Sequence, residues 1–308
     1  MPDRRDWHSG RGVAAALMLG ALAACTIQQR SPRVSGRADE DSPLRQVPRE
    51  VANQGSLPVP SEAEIPEGPL GVAIRRGKAL LQHTGDSLPG HSKAALRCFS
   101  CHLGEGSQAG ALPLVGVYSR FPEYRARNAL VNLLEDRIND CFERSMNGKA
   151  LPRDGKDMRD IIAYFAFISR GIAPPGELPG VGLRLLDRLP PDTARGRQTY
   201  LLVCARCHGG NGAGTPIAPP LWGARSFNIG AGMARLRTFA SFVRDNMPND
   251  RAVVLNDQQA YDVAAYVVSQ PRPDFARKAL DWPNGDPPED VAYPTRAATR
   301  KNQRPARP

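Results

Sequence analysis

The sequence predicts an all-α protein made of two small helical domains in tandem, and three observations carry that reading. Two helix-patterned segments share an Arg-Gly-basic signature, Arg76-Gly77-Lys78 and Arg195-Gly196-Arg197. Each is followed downstream by an apolar helical segment with a central tyrosine, Met158–Ser169 around Tyr164 and Asp257–Ser269 around Tyr266. Between opening and closing segments each half carries one Cys-x-x-Cys-His, Cys98 to His102 and Cys204 to His208. In an exported chain that motif is a covalent attachment site for c-type haem. Two copies predict two covalently bound haem c groups, and the fold is two class I cytochrome c-like domains joined by a Pro-rich linker.

Taken in order, the chain opens with Arg4, Arg5 and Arg11 and an apolar run from Gly12 to Ala24, directly before Cys25. The run is too short to span a bilayer and has the shape of a secretory signal. A cysteine after a small-residue cleavage site resembles a bacterial lipobox, so residues 1–24 read as a lipoprotein signal peptide and Cys25 as the lipidated first residue of a periplasmic protein. Residues 25–67 are rich in Pro, Ser, Arg and Glu without apolar periodicity, and predict a disordered tether. The first domain spans 68–172, with Leu70, Ile74, Gly77 and Leu81 on one helical face. A 13-residue insertion around Gln82–Leu96 separates its opening helix from its haem motif, and His83 and His91 in it read as solvated loop residues. Residues 173–190 form the linker, 191–275 the second domain and 276–308 a basic, Pro-rich tail expected to lack structure.

The formal net charge is +10, and loss of residues 1–24 removes three arginines and two aspartates, so the mature chain stays basic. A basic balance favours small anions, acidic partners or anionic membrane surfaces; no nucleic-acid module is present. Aromatic residues make up only 6% of the chain, against 29 Gly and 29 Pro. A porphyrin in each domain supplies apolar filling that side chains otherwise would.

His102 and His208 are the proximal iron ligands, so the distal positions decide between electron transfer and catalysis. Cys141 lies 39 residues after His102, and Met247 lies 39 residues after His208. A thioether raises the haem potential and suits an electron carrier, whereas an anionic thiolate lowers it. Met233 is the alternative to Met247. Met146 is the alternative to Cys141, which would then be a buried inert thiol. Around Cys141 lie Arg125, Arg127, Arg137, Arg144 and Lys149. If Leu130 to Met146 is largely helical, Arg137, Cys141 and Ser145 share one face, with Asn147-Gly148 as the stop. Guanidinium groups beside a thiolate suit a small oxyanion, although haem propionates claim one or two of them.

With its paired haem motifs, a cysteine 39 residues beyond the first, the Arg-Ser-Met-Asn-Gly that follows it and Asn-Met-Pro in the second half, the chain resembles the thiosulfate dehydrogenases over residues 68–275. The resemblance implies dihaem cytochromes that join two thiosulfates into tetrathionate. It implies a catalytic first haem with His/Cys ligation and a second, His/Met haem that passes electrons to an external soluble or membrane acceptor of cytochrome c type. It assigns Cys141 as ligand and catalytic thiol, forming a cysteine S-thiosulfonate, and Arg127, Arg137 and Ser145 as substrate-binding groups. Some relatives carry a lysine before the distal methionine as a replacement ligand; here that position is Asn246. The competing readings are a lipid-anchored dihaem carrier with no substrate of its own, and a subunit of a sulfur-oxidising multienzyme system.

Overall fold

In a computed structural model, residues 55–172, 179–250 and 254–303 are described. The signal segment, Cys25 and the tether up to residue 54 lie outside them. The first domain carries helices α1 (Gly68–Gln82), α2 (Leu134–Asp140) and α3 (Lys156–Ile168), and the second α4 (Thr193–Thr199), α5 (Leu236–Asn246) and α6 (Asp257–Val268). A last helix, α7 (Arg296–Gln303), lies in the tail. Among the described residues no helix is long and apolar enough to cross a membrane.

The repeated signature glycines mark the points where opening and closing helices cross. A Cβ on Gly77 would stand 2.0 Å from the Asp160 carbonyl oxygen of α3, and one on Gly196 would stand 1.9 Å from that of Asp262 on α6. Only glycine lets the backbones approach so closely. The arginine before each glycine pairs across the same crossing: Arg76 donates to Asp160 at 2.6 Å, and Arg195 to Asp262 at 2.7 Å. The buried side of α1 is Gly71, Ile74, Gly77, Leu80 and Leu81. Leu70, expected on that face, is exposed, because it stands in the first turn of the helix, ahead of the crossing at Gly77.

Three stretches depart from the sequence expectations. Residues 55–67 are not tether: Leu57 and Ile65 are buried, and the Leu57 N–H donates to the Ser107 carbonyl at 2.7 Å. The linker from 179 onward packs on α5, with Leu183 and Leu186 buried and Arg184 paired to Asp245 at 2.8 Å. The tail is structured through Gln303, with Asp281, Trp282, Tyr293 and Thr295 buried. Its apolar anchors are too sparse to leave a periodic signal. Leu130 to Met146 is only partly helical. Leu130–Asn132 (β2) pairs antiparallel with Glu123–Arg125 (β1), and helix begins at Leu134. A π-helical turn, Cys141–Ser145, continues α2, and Asn147 ends it with φ +47°. The 82–96 insertion closes on this turn, where Lys93 and Ala94 both donate to the Met146 carbonyl.

Candidate active site

One cavity of the first domain is lined by Cys98, Cys101 and His102 together with Arg127, Arg137, Cys141 and Ser145. The His102 imidazole donates from Nδ1 to the Leu112 carbonyl, which leaves Nε2 as the unprotonated nitrogen. Burial pushes its pKa down to about 4, so the ring is neutral near pH 7. Burial pushes the Cys98 and Cys101 thiols up to about 12. Sulfur held in so apolar a setting suits an uncharged thioether, which is what haem attachment makes of it. The donor set therefore fits a covalently held c-type haem.

Helical spacing brings Arg137 to Cys141: Nη1 donates to the Cys141 Sγ at 2.9 Å. Arg127 follows the β1 strand, and its Nη1 donates to the Gly230 carbonyl of the second domain at 2.7 Å. Burial, and then the neighbouring Arg144, push Arg127 down to about 10, so it remains a cation at neutral pH. Arg144 also lines the cavity but is neutralised, with Nη1 and Nη2 gripping Asp281 at 2.7 and 2.8 Å. Met146 is buried on the same wall. Of the two insertion histidines, His83 is exposed, whereas His91 makes a hydrogen bond of 3.1 Å with the Lys149 carbonyl.

The second cavity brings together Cys204, Cys207, His208 and Met247. His208 Nδ1 donates to the Pro219 carbonyl at 2.8 Å, burial lowers its pKa, and burial raises the Cys204 thiol to about 11. The donor set matches that of the first cavity, with a thioether on the wall in place of a thiol. Pro248 forces the residue before it out of helical geometry. Accordingly α5 stops at Asn246, and Met247 is extended at φ −124°, ψ 144°. Met233 lines both cavities. Asn246 is 1% exposed and fully engaged, Nδ2 donating to Gly110 and Phe242 carbonyls and Oδ1 accepting from Gln108 Nε2 at 3.0 Å. It fastens the Met247 loop to the first-domain loop that carries Leu112.

Residues 89–173 match the SoxA/TsdA cytochrome c domain, and residues 191–267 match cytochrome c oxidase, cbb3-type, subunit III. A curated thiosulfate dehydrogenase of Psychrobacter arcticus is 41% identical over 252 residues, covering 78% of this chain and 76% of its own length. That of Allochromatium vinosum is 42% identical over 242 residues, covering 75% and 88%. The chain belongs to the thiosulfate dehydrogenase family. A solved thiosulfate dehydrogenase (TsdBA) from Marichromatium purpuratum aligns with TM-score 0.66 and 34% identity over 73% of this chain, which spans 52% of that one. As in a dihaem thiosulfate dehydrogenase, the two cytochrome c domains carry two covalently bound haem c groups.

The partners of Arg127 and Arg144 were not legible in the sequence. Gly230 and Asp281 touch both arginines and Trp282 touches Arg127, and none belongs to a motif. The one signal for them was Asp281-Trp282 itself, an acid and a tryptophan in an otherwise Pro-rich tail.

Proposed function

We propose that this chain joins two thiosulfates into tetrathionate at the Cys141 cavity and passes two electrons, through its second domain, to an external cytochrome c-type acceptor. One observation carries the reading: the Cys141 Sγ accepts from Arg137 on a cavity wall shared with His102, Arg127 and Ser145. A guanidinium donor at 2.9 Å suits a sulfur that carries negative charge while it reacts. When bound, the two haems supply one-electron acceptors, one each for the two electrons released.

The chain's own residues handle the sulfur. The Cys141 thiolate bonds the outer sulfur of one thiosulfate, giving Cys–S–S–SO₃⁻ and releasing two electrons. The outer sulfur of a second thiosulfate then attacks the one that Cys141 holds, forming tetrathionate and returning the thiolate. The obstacle is charge, since two dianions about 4 Å apart at an effective dielectric of about 20 repel by about 17 kcal/mol. Arg127 and Arg137, both lining the cavity, offset that repulsion, and Ser145 adds a neutral donor. Oxidation of the first thiosulfate on Cys141 lowers the repulsion further, because the second dianion then meets a monoanion.

The two arginines are expected to differ in effect. Arg137→Ala removes a charge-assisted bond to sulfur, so turnover falls about ten- to hundredfold and the electron paramagnetic resonance signal of the thiolate-ligated haem shifts. Arg127→Ala raises the KM for thiosulfate and leaves that signal in place. Unshifted spectra in Arg137→Ala would confine Arg137 to substrate binding. Met247→Gly is expected to lower the potential of the second haem and slow delivery to the acceptor, while thiosulfate still reduces the first. Spectra and turnover identical to the wild type would transfer the ligand role to Met233.

Anchoring belongs to the same proposal. The apolar run ending at Cys25, and haem attachment outside the cytoplasm, support a periplasmic lipoprotein. Cys25→Ser should release the protein from membranes with both haems attached. The function as a whole rests on one assay: thiosulfate alone should reduce the purified oxidised protein. A protein reduced only by another dehydrogenase would instead be a carrier.

A further inference from the structure

The tail supplies the floor on which Arg127 rests. The Trp282 N–H donates to the Arg127 carbonyl at 2.7 Å, and the Arg127 guanidinium lies over the Trp282 ring, 4.6 Å from its centroid. Asp281 Oδ2 stands 3.8 Å from Arg127 Nη1, at ion-pair distance, while it is held by Arg144 at 2.7 Å and by the Tyr293 hydroxyl at 2.6 Å. Trp282 is 1% exposed, and none of these tail residues reaches the Cys141 cavity wall.

We infer that Trp282 is a positioning residue for substrate binding: with Asp281 locked beneath it, its ring and backbone hold the Arg127 guanidinium at the Cys141 cavity. The inference rests on the reading of Arg127 as a thiosulfate-binding group. The physical reason is division of charge. A guanidinium gripped by a carboxylate in two-pronged fashion, as Arg144 is, has given its charge to the fold. Arg127 is steadied instead by a ring face, a backbone carbonyl and a more distant carboxylate. A π face holds a cation without neutralising it. The charge therefore remains available to a dianion, and the direction in which it points is fixed.

The test measures thiosulfate binding by calorimetry to the haem-loaded Cys141→Gly protein, in which turnover is removed, and then adds Arg127→Ala, Trp282→Leu or Trp282→Phe. Arg127→Ala and Trp282→Leu should each raise Kd about tenfold or more, the scale of a desolvated cation–π contact. Trp282→Phe should stay within about threefold of the parent, because it keeps a smaller ring face for the guanidinium and gives up an indole N–H that has no hydrogen-bond partner among the described residues. In the otherwise wild-type protein, Trp282→Leu should raise KM with little change in kcat, and the Cys141 haem signal should be unmoved. If Arg127→Ala weakens binding and Trp282→Leu does not, the positioning role is wrong and the reading of Arg127 survives. If Arg127→Ala binds as the parent does, the reading of Arg127 fails and the inference fails with it. Should Trp282→Leu not fold, Tyr293→Phe reads the same arrangement by removing one of the groups that lock Asp281, the other being Arg144: Kd should rise about threefold, and an unchanged Kd overturns the inference.

Discussion

Cys141→Gly is expected to abolish thiosulfate oxidation, with turnover down by about a thousandfold or more, while both haems stay attached. The four cysteines proposed to hold the haems, Cys98, Cys101, Cys204 and Cys207, are left in place by the change. The cost to the fold is that of one glycine at the junction of α2 and the π-helical turn, about 1 kcal/mol. What disappears is the sulfur to which Arg137 donates at 2.9 Å. Two measurements accompany the rate: haem content by haemochrome assay, and loss of the thiolate-type low-spin signal. Cys141→Met should also lose that signal and should raise the potential of the first haem, giving it the ligand set proposed for the second. Turnover of Cys141→Gly near the wild-type rate would remove the catalytic role and leave a dihaem carrier.

The second large effect falls on stability. Gly77→Ala places a methyl where the Asp160 carbonyl oxygen already stands, 2.0 Å from the new Cβ, so α1 and α3 must separate. Overpacking against backbone, which cannot rotate away, is expected to cost about 3 kcal/mol. For a chain of this size that lowers the thermal midpoint by roughly 5 °C. Gly196→Ala should do the same to the α4–α6 crossing, where the corresponding distance is 1.9 Å. Gly90→Ala is the control, since nothing stands within 4 Å of its Cβ position. Equal midpoints for Gly77→Ala and Gly90→Ala would show that the crossings relax without cost.

The crossings also explain why the helical framework is legible in the sequence. Each is specified twice, by a glycine beside an arginine on the first helix and by an aspartate four residues before a tyrosine on the second, Asp160 with Tyr164 and Asp262 with Tyr266. Where the signal is a periodicity without a second marker, it misleads. The stretch from Leu130 has apolar residues at helical spacing, yet strand pairing of β2 with β1 takes its first three residues. Leu57, Leu183, Leu186 and Trp282 are single anchors in Pro-rich surroundings, and composition alone assigns their segments to tether, linker and tail.

By itself the sequence determined the presence of two c-type haem domains, each with one Cys-x-x-Cys-His motif, the repeated helical framework and the common spacing of Cys141 and Met247. Each of these is local chemistry: five adjacent residues make an attachment site, and one helical turn brings Arg137 to Cys141. The tertiary structure alone decided which arginine keeps its charge. Arg127 and Arg144 are indistinguishable as letters, and Arg144 lies closer in sequence to Cys141. Asp281 reaches Arg144 from 137 residues away and neutralises it, while Gly230 and Trp282 hold Arg127 without doing so. A buried cation's availability depends on what the rest of the chain folds against it, and a contact made by one residue at that separation leaves no period in the sequence.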